Sequence, residues 1–329
     1  MRSEFVYYSP MTDPTPLEDL AREYLEDRRA AGVSLKTLHS DLQPRLERVF
    51  LPWCRAHGIT EADQLDQAVI NRWSIHLREK GGAKGPLATA SIASYTKSMN
   101  SFVNWVRKSG KGSPTGRAHK PKLAEHDVEV LTDAEVKALV KAAGPRDALL
   151  IQTLADSGVR VSELVGLRVA DLVEQDVMLL NGQRQHQYCL RVLGKADPLH
   201  GPKERIVPIP QDLYRRLRAL ARSRPASDSD RLWISSRRDP RTGAYEPLGA
   251  SGVEQLLAWL GRQVLGRRVH PHLFRHTYIS KLVRAGVDST IIRRYVGHTS
   301  TQLIDRVYGH LRPQDAAGIV LSILRAKSD

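Results

Sequence analysis

The stretch DSGVRVSEL, residues 156–164, decides how the second half of the chain is interpreted. A helical pattern over about Arg146–Ser157 leads into it. Gly158 predicts the end of that helix, because glycine is the common residue just past a helix C-terminus. Further upstream, Thr132 opens the sequence TDAE, whose capping-box spacing predicts the start of another helix. Two consecutive helices therefore precede the turn.

Downstream of the turn, three short runs rich in β-branched and apolar residues predict strands between about Val177 and Ile209. These runs read VMLL, YCLRVL and RIVPIP. They predict a three-stranded antiparallel sheet with long connections. After Pro210 the helical period returns and continues to the end of the chain. The second half is therefore predicted to be an α+β domain with a C-terminal helix, over residues 125–329.

The first half of the chain is helical by its pattern. Apolar residues recur at helical spacing in four runs separated by glycine and proline, which begin near Pro14, Ser34, Gln67 and Thr89. The sequence RKSGKGSPTGRAHKPK, residues 107–122, follows them and holds six lysines and arginines and no acidic residue. The pattern predicts an N-terminal tail over 1–13, an all-helical domain over 14–110 and a basic linker over 111–124.

The overall charge favours a polyanionic partner. Lysine and arginine number 50 against 36 acidic residues, a net charge of +14, and nucleic acid is the commonest partner of such a chain. Binding to a membrane surface would produce the same balance. The cysteines, Cys54 and Cys189, have no disulfide or zinc spacing, which favours two buried thiols. No signal peptide or apolar run of membrane-spanning length is present, so a soluble, cytoplasmic protein without membrane partners is expected.

Several short motifs carry chemistry as an ordered set. In chain order they are Arg160 with Glu163, Gly194-Lys195, Lys203-Glu-Arg, His272-Leu-Phe-Arg275-His276, Gly297-His298 and Tyr308. Each motif alone is weak: an arginine after a glycine turn is usually a helix-start charge, and a tyrosine near the C-terminus is usually a packing residue. Their order and their residue types together are far more specific.

This set resembles the tyrosine recombinase (phage integrase) family, and the resemblance covers nearly the whole chain from about residue 14. It implies a mainly α-helical protein with a small antiparallel β-sheet, in which a helical core-binding domain and an α+β catalytic domain form a C-shaped clamp on DNA. By their motifs, Arg160 and Arg275 match the two catalytic arginines, His272 and His298 the two histidines, and Tyr308 the nucleophile. Glu163 matches the acidic residue that supports the first arginine.

The chemistry of DNA cleavage by a tyrosine independently requires groups of these types. Attack of a tyrosine hydroxyl on a phosphodiester puts extra negative charge on the nonbridging oxygens, and two guanidiniums can hold them in forked, charged hydrogen bonds. A phenol with a pKa near 10 must lose its proton as it attacks, which suits histidine. Lysine can protonate the leaving 5′-oxygen. Neither a metal ion nor a nucleotide cofactor is required.

The lysine assignment stays open. Seven residues, ADPLHGP, separate Gly194-Lys195 from Lys203, where the family usually has a tight turn. We prefer Lys195, because the Gly-Lys dipeptide directly follows the strand RVL, and keep Lys203 as the alternative. Tyr308 lies ten residues after His298, where nine is also common, a difference that a loop can absorb. His276 follows Arg275 directly and so faces another side of the helix, which favours a supporting, hydrogen-bonding role.

Contacts with double-stranded DNA are also predicted outside the motif set. The candidates are Ser34, Lys36, Thr37, Thr89 and Lys97, near the starts of two helices of the first domain, Arg107, Lys108 and Lys111 in or beside the linker, and Lys203. For Ser34 and Thr89, helix N-capping explains the residue equally well, and both roles can coexist. The linker is either a flexible basic strap along the phosphates or a solvated connector.

Function and assembly follow from the resemblance. It implies a site-specific DNA recombinase, acting through a 3′-phosphotyrosyl intermediate as a tetramer in the synaptic complex and as a monomer when free. The C-terminal run Pro313–Lys327 either packs on its own domain or docks on a neighbouring protomer. The competing hypotheses are a type IB topoisomerase, which relaxes DNA by the same chemistry, and a DNA-binding accessory protein that lacks activity.

Overall fold

The computed structural model of the protein describes residues 15–81, 85–122, 128–178, 182–197 and 201–297. The chain divides into two compact units, Met1–Glu125 and His126–Asp329. Among the described helices, none is long and apolar enough to cross a membrane. The N-terminal tail 1–13 and the run Pro313–Lys327 lie outside the described residues.

The first unit is built of helices. They are α1 Leu17–Ala30, α2 Leu35–Thr37, α3 Gln43–Arg45, α4 Leu51–Ala56, α5 Gln67–Glu79 and α6 Thr89–Lys108. The predicted second run is a series of short helices joined by π turns at Leu38–Leu42 and Leu46–Phe50. Each π turn ends two residues before a proline, Pro44 or Pro52. Since proline has no amide hydrogen to donate four residues back, it interrupts the regular hydrogen-bond ladder there.

Aromatic side chains dominate the core of the first unit. Tyr24, Phe50, Phe102 and Trp73 are each at most 1% exposed. The Phe50 and Trp73 rings meet edge to face with centroids 5.6 Å apart, as do those of Tyr24 and Phe102. Such pairs contribute about 0.5–1.5 kcal/mol beyond their area burial. The core thus joins α1, α5 and α6 through the second π turn.

The first part of the predicted basic linker is attached to this unit. Pro114, Gly116 and Ala118 are buried and alternate with exposed residues, as in an extended strand lying on a surface. A Cβ atom at Gly116 would lie 2.4 Å from the carbonyl oxygen of Asp66, so only glycine permits this approach. The backbone N–H and carbonyl of Ala118 each pair with the amide of Asn100, at 2.9 Å. The expectation of a flexible strap is therefore wrong up to Ala118.

The second unit combines helices with two small sheets. Its helices are α7 Asp133–Ala142, α8 Pro145–Ser157, α9 Val161–Gly166, α10 Gln211–Ser223, α11 Ala250–Leu265, α12 Pro271–Arg284 and α13 Ser289–Val296. Its strands are β1 Leu172–Met178, β2 Arg184–Asp197, β3 Gly201–Pro208, β4 Ile234–Arg238 and β5 Tyr245–Pro247. The capping box predicted at Thr132 is confirmed, since its hydroxyl accepts from the N–H of Glu135, whose carboxylate accepts from the N–H of Thr132. The core lies where α8, α11 and α12 meet the larger sheet.

The three-stranded sheet is antiparallel in the order β1-β2-β3, as predicted, but its connections are short. Residues that were interpreted as an insertion extend the strands instead, so only residues 198–200 separate β2 from β3. The paired backbone of this extension satisfies hydrogen bonds that a long loop would leave to water. The expected long connections are therefore wrong, while the fold class, mainly α with small antiparallel sheets, is confirmed.

Both cysteines are buried, as the sequence predicts. Cys54, in α4, is 1% exposed, and Cys189, in β2, is 0% exposed. Burial raises the pKa of the Cys54 thiol to about 12 and also raises the pKa of Cys189. Neither thiol is positioned for redox or metal chemistry, because both are neutral packing residues.

Candidate active site

The turn at Gly158 brings α8 against α12. Gly158 adopts the left-handed conformation (φ +61°) that ends α8. A Cβ atom there would lie 2.4 Å from the ring of Tyr278, in α12. The carbonyl oxygen of Gly158 accepts a hydrogen bond from Nη1 of Arg275 at 2.7 Å. Glycine is therefore required both by the backbone conformation and by the close contact with α12.

Arg160 and Glu163 form a reciprocal pair at the start of α9. Arg160 is the residue that precedes the helix, and its backbone N–H donates to Oε2 of Glu163 at 2.8 Å. Its guanidinium Nη1 donates to Oε1 of the same carboxylate at 2.8 Å. The Glu163 side chain is only 4% exposed, whereas that of Arg160 is 32% exposed. The buried carboxylate thus holds a guanidinium that still reaches solvent.

A second arginine, Arg205 of β3, hydrogen-bonds the same carboxylate. Its Nη1 donates to Oε1 of Glu163 at 3.0 Å and its Nη2 to Oε2 at 2.7 Å, a forked pair. Burial raises the pKa of Glu163, but the hydrogen bonds and charge of Arg205, followed by those of Arg160, outweigh it and hold this pKa below its ordinary value. Glu163 therefore stays ionised at neutral pH.

Three guanidiniums converge on the C-terminal turn of α13. The donor and acceptor pairs are Arg205 Nε to Tyr295 O at 2.7 Å, Arg275 Nη2 to Val296 O, and Arg160 Nη2 to Gly297 O at 3.1 Å. The last carbonyls of a helix have no intrahelical partner, and the negative end of the helix dipole attracts cations. The three arginines come from β3, α12 and the start of α9, so this turn joins three parts of the unit.

Positive charge is in excess at this point. Arg275 is 2% exposed, and burial followed by the charge of Arg160 lowers its pKa to about 9. It is therefore still charged at neutral pH, and its charge interacts with those of Arg160, Arg205 and Glu163. Among the residues that line the adjoining cleft, five carry a positive charge and two a negative charge. The arrangement thus favours an anionic ligand.

Three histidine rings lie along the start of α12. The ring of His272 is 6.4 Å from that of His270 and 6.5 Å from that of His276, centroid to centroid. Desolvation of its ring, followed by the charges of His270 and Arg275, lowers the pKa of His272. Burial likewise lowers the pKa of His276, whose ring also hydrogen-bonds the backbone of Glu129. His272 is therefore neutral near pH 7, the form that can accept a proton.

The two candidate lysines lie across the hairpin from each other. Leu193 pairs with Glu204 and Ala196 with Pro202, so the two residues between them on β2, Gly194-Lys195, oppose Lys203 alone. This is a β-bulge, a feature that bends a strand and redirects a side chain. The Lys203 side chain is exposed, and Lys195 is described by its backbone only. Both positions thus belong to the same level of the hairpin.

The cleft beside these groups has a volume of about 1080 Å³. Arg160, Gly194, Lys203, Arg205 and Gly297 line it, together with Arg293 and Arg294 of α13. It brings together the first arginine, its supporting glutamate and the hairpin level of the lysines. His298 and Tyr308 lie outside the described residues.

The candidates in the first unit have mixed surroundings. Ser34 does cap α2, since its hydroxyl accepts from the N–H of Thr37 at 3.2 Å. Thr89 is the first residue of α6 and makes no cap, because Ala88 holds that position; the capping interpretation of Thr89 is wrong. Arg107 donates to the carbonyl of Pro114, and Lys111 pairs with Glu23. Lys36, Lys97 and Lys108 are exposed.

Arg293 and Arg294 line the cleft without having been predicted from the sequence, and so does Arg205. The signal for Arg205 was present in the motif Lys203-Glu-Arg205, which was considered only for its lysine. The hydrogen bonds that give Arg205 its importance span 42 and 90 residues along the chain. No local pattern reports such partners.

Comparison with known proteins identifies the family. The profile of the phage integrase family matches residues 129–315. The chain belongs to this family. A tyrosine recombinase XerC of Pelotomaculum thermopropionicum is 30% identical over 77% of this chain and 80% of its own. A tyrosine recombinase XerA of Pyrococcus furiosus is 30% identical over 66% of this chain and 71% of its own.

Solved structures share the fold of this integrase-family chain. The Tn1549 transposon integrase, solved with circular intermediate DNA, aligns with a TM-score of 0.66 at 16% identity, over 92% of this chain and 98% of that one. A lambda integrase dimer bound to a core site aligns with a TM-score of 0.59 at 15% identity, over 89% and 77%. The family match and these relatives show that the chain is a tyrosine recombinase. Enzymes of this class cleave and rejoin DNA in site-specific recombination. The topoisomerase and accessory-protein hypotheses are not favoured.

Proposed function

We propose that the protein cleaves one DNA strand with the hydroxyl of Tyr308, keeps the 3′-phosphate as a phosphotyrosyl ester, and rejoins it to a 5′-hydroxyl of a partner strand. The observation that carries this proposal is the convergence of Arg160, Arg205 and Arg275 on the C-terminal turn of α13, beside an open cleft. A scissile phosphate supplies the anion that this excess of positive charge favours.

In the proposed mechanism the arginines stabilise the charge that develops on phosphorus-bound oxygens. Arg160, partly exposed and held by Glu163, contacts one nonbridging oxygen, and Arg275 contacts the other. Removing one such donor costs about 10²–10³ in rate. Permanently charged guanidiniums suit this role because they need no proton exchange during the reaction.

Proton transfer completes the mechanism. His272, neutral at pH 7 because its pKa is lowered, accepts a proton or donates a hydrogen bond to the phosphate, and His298 assists from the segment after α13. A lysine of the β2–β3 hairpin, Lys195 or Lys203, protonates the leaving 5′-oxygen. His276 supports His272 through its contact with Glu129.

Double-stranded DNA is the proposed substrate, and the relatives named as integrase or recombinase complexes with DNA support it. The exposed lysines Lys36, Lys97 and Lys108 are proposed to contact phosphates. A monomer in solution and a tetramer on paired sites are proposed, with Pro313–Lys327 packing in cis or in trans.

The test is capture of the covalent intermediate on a nicked DNA that carries the recombination site. The wild-type protein should form an adduct that survives denaturation, and Tyr308→Phe should form none while binding DNA with similar affinity. Tyr295→Phe is the matched control and should form the adduct, since the contact of Tyr295 with Arg205 uses its backbone carbonyl, which the substitution keeps. An adduct from Tyr308→Phe would refute the assignment of the nucleophile.

A further inference from the structure

Arg205 contacts two parts of the site whose relative position matters for the proposed reaction. The Nη1–Nη2 edge of its guanidinium donates two hydrogen bonds to Glu163. Its Nε donates to the carbonyl of Tyr295, in the last turn of α13. Gly297 ends this helix, and His298 is the next residue in the sequence. The guanidinium of Arg205 therefore connects Glu163, which supports Arg160, with the end of α13, which precedes the proposed catalytic His298 in the sequence.

The contact with α13 is close-fitting. A Cβ atom at Gly297 would lie 2.9 Å from Nη1 of Arg205 and 3.1 Å from its Cζ. The Arg205 side chain is only 10% exposed, against 32% for Arg160. Arg160 can thus reach a ligand in the cleft, whereas the hydrogen-bonding groups of Arg205 are directed at protein atoms.

We infer that Arg205 is a positioning residue, which fixes the Glu163 carboxylate and the C-terminal turn of α13 so that the Arg160 guanidinium is held at the cleft where the phosphate is proposed to bind. This inference rests on the proposed function and adds a residue to it. Arg205 acts through Glu163, not by contact with the DNA. Because it belongs to β3, it also connects this arrangement to the hairpin that carries Lys195 and Lys203.

The groups that face Glu163 come from three elements. They are Arg160 at the start of its own helix, Arg205 from β3 and Arg275 from α12, whose electrostatic interactions include Glu163. Removing Arg205 takes away one of the two guanidiniums that form ion pairs with the buried carboxylate among the described residues. Protonation of Glu163 then becomes easier, and a protonated Glu163 holds the Arg160 guanidinium less firmly. The acid limb of the cleavage rate should therefore move to higher pH.

Arg191 provides a matched control on the same sheet. It lies in β2 and donates from Nε to Oδ1 of Asp171 at 3.2 Å. Asp171 closes a capping box with Arg168 as Glu163 does with Arg160. Arg191→Met thus removes the same kind of ion pair at the same kind of helix start, away from the C-terminal turn of α13.

The experiment measures single-turnover adduct formation on nicked DNA against pH, with DNA affinity determined separately. Arg205→Met should cleave about 10²-fold more slowly, the usual cost of misplacing reacting groups by about 1 Å, with an acid limb at higher pH and nearly unchanged affinity. Arg205→Lys keeps the charge but not the fork, so its acid limb should lie nearer to that of the wild type while its rate stays low. Arg191→Met should match the wild type in both.

A double-mutant cycle decides whether Arg205 works through Glu163. The double variant Arg205→Met/Glu163→Gln should lose less than the two single losses combined, because the part of the Arg205 effect that acts through Glu163 is already lost, and it should show no shifted acid limb. It removes both buried charges, so it remains informative if Arg205→Met alone fails to fold. Additive losses, or an Arg205→Met profile equal to that of Arg191→Met, would overturn the inference. If the wild-type protein itself forms no adduct, the proposed function fails as well, which separates the two outcomes.

Discussion

At the scale of single residues, Gly297 is the position where backbone conformation and site geometry meet. We expect Gly297→Ala to lose about 1–2 kcal/mol of stability from its left-handed backbone, and in addition to displace Arg205 and slow cleavage. Gly266→Ala is the control, because Gly266 has a similar φ of +67° at the end of α11 but open space around it. Thermal unfolding and adduct formation measured on both variants should show similar stability losses but slow cleavage only for Gly297→Ala. Equal cleavage rates in the two would contradict the close fit between Gly297 and Arg205.

Single residues also mark the limit of sequence interpretation. The turn at Gly158 was predictable, because glycine in a left-handed cap is a local requirement. The pairing of Arg160 with Glu163 was predictable as well, because the motif resembles that of the tyrosine recombinase family. Arg205 and the tight site at Gly116 were not, since both depend on contacts between distant parts of the chain. The family motif thus identified Arg160, and no local rule identified Arg205, the second arginine that hydrogen-bonds the same carboxylate.

At the scale of elements, the β2–β3 hairpin explains why two lysines compete for one role. The apparent insertion lengthened both strands, and the bulge set Lys195 and Lys203 opposite each other. The strands were predictable from β-branched residues, but pairing through the insertion was not, because it depends on register. The same limitation affected the linker, whose composition favoured a free strap although Pro114, Gly116 and Ala118 are buried.

A sulfur-substituted substrate distinguishes the two lysines. A 5′-bridging phosphorothiolate leaves as a thiolate and needs no general acid. We expect Lys195→Ala to cleave normal DNA slowly but the sulfur-substituted strand at close to the wild-type rate, and Lys203→Ala to resemble the wild type on both. Arg160→Ala is the control and should stay slow on both, because it stabilises nonbridging oxygens whatever group leaves. Rescue of Lys203→Ala, with Lys195→Ala unaffected, would reverse the assignment.

At the scale of the whole molecule, histidines make stability depend on pH in the weakly acidic range. Burial lowers the pKa of His270, His272 and His276 in the folded protein. The unfolded chain therefore binds protons more readily than the folded one, and stability falls as the pH drops through the unfolded value near 6.5. His186, beside Asp176 and Glu174, has a raised pKa and acts in the opposite direction.

Calorimetric unfolding between about pH 5.5 and 7.5 checks this expectation. The unfolding temperature should be lower at pH 5.5 than at pH 7.5. His276→Asn should reduce this difference in unfolding temperature, because it removes one of the histidines whose pKa is lowered in the folded protein. His186→Asn should enlarge the difference slightly. An unfolding temperature that rises on acidification would contradict the direction worked out from the lowered pKa values of these three histidines.

The two cysteines have a consequence for spectroscopy. A thiol with the pKa of Cys54, about 12, is ionised in a fraction on the order of 10⁻⁵ at pH 7, and maleimide dyes react with the ionised form. Cys189 is 0% exposed, so a dye cannot reach it in the native state either. The chain with both of its own cysteines should therefore react very slowly with maleimide dyes, and no cysteine needs to be replaced before labelling. A fluorophore pair introduced at two exposed positions, one in each unit, would report their separation by energy transfer as DNA is added.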